Sequence, residues 1–187
     1  MVWRGLWAPS LEWLALRRTS SGWRARGTVI AAPPSGPWRL RYAIELDPGW
    51  ETRAFRAALE EPGGRRAVEM SRPPGEGWRD GEGRLLDGFE GCIDVDIAAT
   101  PFTNTLPVRR LDWHDARPVT LRMVYVQVPS LEVTPAAQRY TRRAHSASGS
   151  RFLYEGLDTD FRAEIALDGD GLVTDYPGIW ERVPTPD

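Results

Sequence analysis

The chain has 187 residues, a net charge of −2 and 41% hydrophobic residues, which is typical of one globular domain over residues 1–187. All 24 basic residues are arginine, so chemistry that needs a lysine, such as Schiff-base formation or a lysine in a phosphate-binding loop, is excluded. The charge balance gives no indication of nucleic-acid binding. One cysteine excludes an internal disulfide, and two histidines are too few for a typical zinc site, so we expect neither a metal nor a cofactor.

The first residues lack the basic region and apolar run of a secretory signal. Every apolar run in the chain is also far shorter than a membrane span. We therefore expect a cytoplasmic protein with no transmembrane segment, to which a hydrophobic ligand would have to come.

Alternating apolar and polar residues predict antiparallel strands along most of the chain. In residues 39–46 the even positions are apolar, and residues 161–168 repeat the pattern with charged residues between the apolar ones. Residues 119–128 are apolar on nearly both faces, which indicates a central strand. Proline- and glycine-rich turns at short intervals then predict a meander of short strands.

Residues 50–61 carry two conflicting signals. Their composition and the preceding Asp47-Pro48 favour a helix. As a strand, the segment would place Phe55, Ala57 and Leu59 on one face.

The segment 91–111 carries the most specific pattern. On a strand, Asp94 and Asp96 share one face, and Ile93, Val95 and Ile97 occupy the opposite face, which we expect to be buried.

A short helix is predicted to follow this strand. Asn104 is a suitable N-cap, Pro107 falls in the tolerated first turn, and Arg109 and Arg110 follow at helical spacing.

The paired acids and paired arginines allow three interpretations. Asp94 and Asp96 could lie on an ordinary exposed surface. They could instead face the interior and be held by Arg109 or Arg110, whose planar guanidinium groups bind carboxylates in a bidentate manner, so that the network pins the helix to the sheet. The same polar groups could receive sugar hydroxyls or a phosphate.

The amino-acid sequence of residues 91–111 resembles the signature of the putative glycolipid-binding family of bacterial proteins. Three other blocks of the sequence resemble that family in the same order along the chain. The four blocks are Tyr42 to Trp50 with Thr52-Arg53; Trp78-Arg79-Asp80-Gly81; Asp94 to Leu111; and a C-terminal group of Tyr125 to Pro129, Gln138-x-Tyr140-Thr141 and Gly171 to Gly178. Glu12 matches a glutamate near the start of these proteins.

The resemblance implies a mainly β fold, a many-stranded, mostly antiparallel spiral β-roll curled around a single short helix. It also implies a strand at residues 50–61, a likeness in shape to bacterial lipoprotein carriers, and a homodimer. The function expected from it is non-catalytic binding of a lipid or glycolipid in a cavity of the curled sheet. Gln138 and Tyr140, two apart on a predicted strand, would present polar groups to a head group. The candidate ligand-binding residues are Asp94, Asp96, Asn104, Arg109, Arg110, Tyr125, Gln138 and Tyr140.

Two other functions stay open at this point. Asp94 and Asp96 could act as an acid/base pair of a hydrolase on a glycosidic or ester bond, although nearby arginines would keep both acids ionised. The protein could also be a dimeric interaction protein without a small ligand. A catalytic Cys92–His114 pair is a weaker hypothesis, because Cys92 lies among apolar strand residues. Trp50, Trp78, Trp113 and Trp180, each beside a turn, are expected to pack in the core or at its rim.

Overall fold

The structure, a computed structural model, describes residues 1–113 and 117–184, and within them fourteen strands form one curled sheet. The strands are β1 (Val2–Gly5), β2 (Ser10–Thr19), β3 (Gly22–Ala31), β4 (Trp38–Leu46), β5 (Thr52–Glu61), β6 (Gly64–Ser71), β7 (Arg79–Asp80), β8 (Cys92–Ile97), β9 (Val119–Val126), β10 (Val133–Ser146), β11 (Gly149–Gly156), β12 (Arg162–Asp168), β13 (Val173–Tyr176) and β14 (Trp180–Arg182). A 3₁₀ turn (Phe102–Asn104) leads into one α-helix, α1 (Thr105–Arg110). No helix in these ranges is long and apolar enough to span a membrane.

The first and last strands of the chain pair with each other in the middle of the sheet. The strand order is β7-β6-β5-β4-β3-β2-β1-β14-β13-β12-β11-β10-β9-β8, so two meanders extend from the central pair in opposite directions. All neighbouring strands are antiparallel except β8 and β9, which are parallel. The prediction of a mainly β, mostly antiparallel curled sheet with one short helix is confirmed.

Residues 52–61 of the segment 50–61 form strand β5, as the resemblance implied and against their helical propensity. The strand pairs with β4 on one side and β6 on the other. Phe55, Ala57 and Leu59 are all buried, at the two-residue period of a strand. Pairing on both edges and burial of one face outweigh the small differences in intrinsic propensity.

Strand β8 lies inside the curl, although it is an edge strand by pairing. Val95 N donates to Thr52 Oγ1 of β5 at 3.3 Å, and Trp78 Nε1 donates to the backbone oxygen of Cys92 at 2.9 Å. Val95 and Ile97 are fully buried, as predicted, whereas Ile93 is only half-buried. The opposite face of the strand is buried too. Curling therefore protects an edge that would otherwise expose unpaired backbone groups.

The helix begins one residue after Asn104, as predicted, but the asparagine side chain does not cap it. Asn104 has helical backbone angles, φ −65° and ψ −21°, because the preceding 3₁₀ turn runs directly into the helix. A capping side chain needs an extended backbone at that position. The Asn104 amide instead donates to Tyr140 Oη at 2.9 Å, and this contact fixes the helix start to β10.

The core lies between the curled sheet and the helical segment. Phe102 and Leu106 of that segment are fully buried among apolar residues from both meanders. The four turn-flanking tryptophans are buried as predicted: Trp50, Trp78, Trp113 and Trp180.

Candidate functional site

Asp94 and Arg110 form a buried ion pair between β8 and the last turn of α1. Arg110 Nε lies 3.1 Å from both carboxylate oxygens, and Nη2 lies 2.6 Å from Oδ2. The Asp94 side chain is fully buried and that of Arg110 is 12% exposed. Burial raises the pKa of Asp94, while the hydrogen bonds and charge of Arg110 oppose that shift. The pair holds the helix against the sheet, as the structural interpretation predicted, and the exposed-surface interpretation is wrong.

Asp96 has no arginine partner in the part of the chain that the structure describes, and the prediction that arginines hold both acids is wrong for this residue. Thr103 Oγ1 donates to Oδ1 at 2.8 Å, and Gln138 Nε2 donates to Oδ2 at 2.6 Å. The side chain is buried, and desolvation raises the pKa of Asp96 despite these two hydrogen bonds. Asp96 therefore lies in a neutral, hydrogen-bonded environment.

Arg109 contacts neither Asp94 nor Asp96, so it does not join the predicted site. Its guanidinium carbon is 4.6 Å from the centroid of a Trp50 ring, and Nη1 donates to the Asp170 backbone oxygen at 2.6 Å. Both the cation–π contact and the hydrogen bond to the loop give Arg109 a structural role.

Gln138 and Tyr140 are both buried on the face of β10 that meets the helix, as their spacing predicted. Gln138 binds Asp96, and the Tyr140 hydroxyl accepts from Asn104 and lies 3.4 Å from Gln138 Oε1. Four predicted residues, Asp96, Asn104, Gln138 and Tyr140, are thus joined in one buried network.

A cavity of about 200 Å³ opens beside this network. Three tyrosines line it, Tyr125, Tyr154 and Tyr176, and none of their hydroxyls takes part in a hydrogen bond between described residues. Burial, followed by the negative charge of Asp96, raises the pKa of all three phenols. They therefore keep their protons and can donate as well as accept. The lining consists of Asp96, Ile97, Ala98, Thr100, Asn104, Tyr125, Tyr154, Phe161, Tyr176, Ile179 and Trp180.

A larger, mainly apolar groove of about 540 Å³ adjoins the cavity. The two spaces share Tyr125, Tyr154 and Phe161, and Gln138 lines the groove as well. The other walls come from β10 and from the turn after β11, namely Thr134, Pro135, Ala136, Ala137, Gly156, Asp158 and Thr159. An apolar groove thus lies next to a pocket lined by hydroxyl, amide and carboxylate groups. Asp94 lines neither of the two spaces.

The sequence did not assign a role to Glu12, which is a fully buried acid on β2. Its Oε1 accepts from the Tyr42 hydroxyl and, at 2.8 Å, from Thr100 Oγ1, whereas Oε2 has no hydrogen-bond partner among residues 1–113 and 117–184. Burial raises the pKa of Glu12 from 4.5 to about 7, and the hydrogen bonds from Tyr42 and Thr100 limit the shift. The alternation in β2, which puts Glu12 on the same face as buried Leu14, was the signal that it points inward.

Gly27 makes the Glu12 contact possible. A Cβ at this position would lie 2.1 Å from the Tyr42 ring, so only glycine lets that ring cross β3 and reach β2. Thr100 also lines the 200 Å³ cavity, which places Glu12 one hydrogen bond away from it.

The remaining hypotheses concern cysteine chemistry and metal ions. Cys92 is buried, its Sγ lies 3.5 Å from the Met123 backbone oxygen, and burial raises the pKa of its thiol, which disfavours a nucleophile. His114 lies outside the described residues. Within residues 1–113 and 117–184, no group of three His, Cys, Asp or Glu side chains is placed to hold a metal ion.

Comparisons with known proteins agree with this architecture. The crystal structure of a DUF1089 family protein from Pseudomonas aeruginosa superposes with a TM-score of 0.80 and 36% sequence identity, over 92% of each chain. No curated protein matches the sequence. The family model described as "Putative glycolipid-binding" matches residues 1–182. The chain therefore belongs to the putative glycolipid-binding family.

Proposed function

We propose that this protein binds a lipid or glycolipid without catalysis, with the acyl part in the apolar groove and the polar head at the tyrosine-lined cavity. The observation that carries the proposal is that the two spaces are adjacent and share three wall residues, Tyr125, Tyr154 and Phe161. A groove of about 540 Å³ falls within the range of about 300–1,000 Å³ common for small-molecule sites. The family description is consistent with such a ligand.

The polar groups around the cavity suit a sugar or another hydroxyl-rich head group. The hydroxyls of Tyr125, Tyr154 and Tyr176, which make no hydrogen bond to another described residue, can each donate and accept one. Aromatic rings also provide apolar faces against which a sugar ring can pack. Asp96 would accept hydrogen bonds from ligand hydroxyls with the capacity left by Thr103 and Gln138. Asn104, Gln138 and Tyr140 would act mainly by holding these groups in position.

A hydrolase that uses Asp94 and Asp96 together is less well supported. A carboxylate pair must face one substrate-sized space, with environments that separate the two pKa values. Only Asp96 lines the cavity, because Asp94 is held by Arg110. The dimeric interaction protein remains the other alternative, and the homodimer and the cytoplasmic location remain predictions.

Native mass spectrometry of the freshly purified protein, followed by titration with a panel of glycolipids and plain phospholipids, tests the proposal. Ala136 lines the groove on β10, so Ala136→Phe should occupy the acyl space and abolish lipid adducts. Ala144 is exposed on the same strand, outside the groove, and Ala144→Phe is the matched control that should bind as the wild type does. Absence of adducts together with no binding across the panel, or equal binding by both variants, would contradict the proposal.

The head-group part of the proposal is tested with Tyr125→Phe. The Tyr125 hydroxyl has no hydrogen bond to another described residue, so its removal should leave the fold intact. Loss of one neutral hydrogen bond to a ligand, about 1 kcal/mol, should weaken glycolipid binding about fivefold. Binding of a plain phospholipid should not change. If the binding of both lipids weakens equally, the cavity does not receive the head group.

A further inference from the structure

The solvent-facing side of β2–β6 carries a cluster of arginines around a shallow hollow. The hollow has a volume of about 390 Å³ and is lined by Arg26, Arg41, Arg56 and Arg65, with Trp13 at one side. None of the described residues that line it is acidic. A local excess of positive charge on a protein with a net charge of −2 means that the charges are unevenly distributed.

Most of these arginines lack an acidic partner. Arg26, Arg41 and Arg65 are exposed and form no ion pair with another described residue. Arg56 has only a 3.9 Å contact with Glu69, in which both side chains are 60% exposed. Three other arginines on β3, β4 and β5 are paired: Arg24 with Glu45, Arg39 with Glu60 and Arg53 with Asp47. Glu60, which is paired with Arg39, also lies near Arg41 and Arg65, whose charges help to lower its pKa. One nearby carboxylate thus neutralises the positive potential of the four-arginine hollow only in part.

Large apolar side chains lie beside the arginines on the same surface. Trp13 is 55% exposed, Leu11 50% and Ile30 59%. The strand register places them together: Leu11 pairs with Ile30, and Trp13 pairs with Thr28, whose neighbour on β4 is Arg41. Single exposed apolar residues are ordinary, but an exposed cluster beside unpaired charges marks an interaction surface.

We propose that this face docks onto the surface of an anionic lipid bilayer. The four arginines would contact head-group phosphates, for which guanidinium groups have suitable geometry. Trp13, Leu11 and Ile30 would reach into the boundary between head groups and acyl chains, the depth at which tryptophan is enriched. The combination of exposed apolar residues with unpaired arginines favours a bilayer over nucleic acid, because phosphate contacts to a nucleic-acid backbone need no exposed leucine or isoleucine.

The docking surface does not depend on the proposed ligand site. It lies on β2–β6, whereas the cavity and groove are formed mainly by β8–β14 and the turn after β11. Variants of the docking surface can therefore be tested for vesicle binding while binding at the ligand site is measured separately.

Co-sedimentation with vesicles tests the proposal on the full chain. Vesicles of phosphatidylcholine containing phosphatidylglycerol are compared with pure phosphatidylcholine, at low and at high salt. The wild type should bind the anionic vesicles, bind the neutral ones weakly and lose affinity as salt rises. Each arginine near an anionic surface contributes about fivefold, so Arg26→Gln with Arg41→Gln should weaken binding about 25-fold.

Two further variants complete the design. Trp13→Ala should weaken binding to anionic vesicles. It should also abolish the quenching of the protein's tryptophan fluorescence by brominated lipid that the wild type shows. Arg143 and Arg162 are exposed on other strands and without an ion pair among the described residues, so Arg143→Gln with Arg162→Gln is the matched control and should bind normally.

Four outcomes would overturn the proposal. They are equal binding to neutral and anionic vesicles, equal loss in the control variant, tighter binding to a duplex DNA oligonucleotide than to anionic vesicles, and a dimer in light scattering that Trp13→Ala dissociates.

The ligand-site variant Tyr125→Phe is included in the vesicle assay. Its normal sedimentation would separate docking from the lipid binding proposed above.

Discussion

Glu12 makes the stability of this protein depend on pH in a direction opposite to that of most carboxylates. Its pKa is about 7 in the folded protein and 4.5 for the exposed group. Below about pH 4.5 the carboxyl is protonated in both the folded and the unfolded state, so it contributes nothing to the pH dependence of stability. Between about pH 4.5 and 7 the unfolded chain releases the proton while the folded chain keeps it, so the free energy of unfolding falls as pH rises.

The size of this effect follows from the difference in pKa. A shift of one unit corresponds to about 1.4 kcal/mol, so Glu12 should destabilise the folded state by about 3 kcal/mol above pH 7. Between about pH 5 and pH 8 the loss should be about 2–3 kcal/mol. The raised pKa values of Asp94 and Asp96 act in the same direction.

Urea unfolding of the wild type and of Glu12→Gln across this pH range measures the effect. Glutamine keeps an acceptor for Tyr42 and Thr100 and cannot ionise, so the variant should be more stable than the wild type by about 2–3 kcal/mol near pH 8 and similar near pH 5. The difference between the two proteins removes the contributions of all other carboxyls. Glu132→Gln, at an exposed loop position, is the matched control and should follow the wild type.

The reasoning would be refuted by either of two results. One is a wild-type free energy of unfolding that stays constant between these pH values. The other is an equal decrease in Glu12→Gln, which would assign the pH dependence to other groups.

Two further predictions concern the helix. Arg110→Ala should lower the free energy of unfolding by about 3 kcal/mol, because Asp94 would keep a buried charge without its partner. The adjacent Arg109→Ala should cost about 1 kcal/mol or less, since its contacts are more exposed, and equal losses in urea unfolding would contradict the assigned roles. Asn104→Ala should cost about 1 kcal/mol through the lost hydrogen bond to Tyr140, not through a lost cap. A double-mutant cycle with Tyr140→Phe should give a coupling energy of about that size, and additive losses would show that Asn104 acts elsewhere.

The strands were largely predictable because their signal is local. Alternation predicted β4 and β12, and the proline- and glycine-rich segments fall between strands as expected. β5 was different: its composition favoured a helix, and only pairing with β4 and β6 made it a strand. The family resemblance supplied this information, which the composition of the segment did not contain.

The candidate site was predictable as a set of residues but not as a set of contacts. Asp94, Asp96 and Arg110 all lie in the interior, yet only one of the two acids has an arginine. Arg109 and Arg110 are adjacent in sequence, but consecutive helical residues point about 100° apart, so their side chains reach different surroundings.

The sequence by itself determined where most strands form and where the chain turns, because each depends on neighbours within a few positions. Whether Asp94 and Asp96 face the interior was left open by the same local pattern. The tertiary structure alone decided which partner each buried acid receives. Asp96 meets Gln138 across 42 residues, and Glu12 meets Thr100 across 88. Such contacts arise from the curling of the whole sheet, and the same curling sets the desolvation that raises the pKa values of both acids.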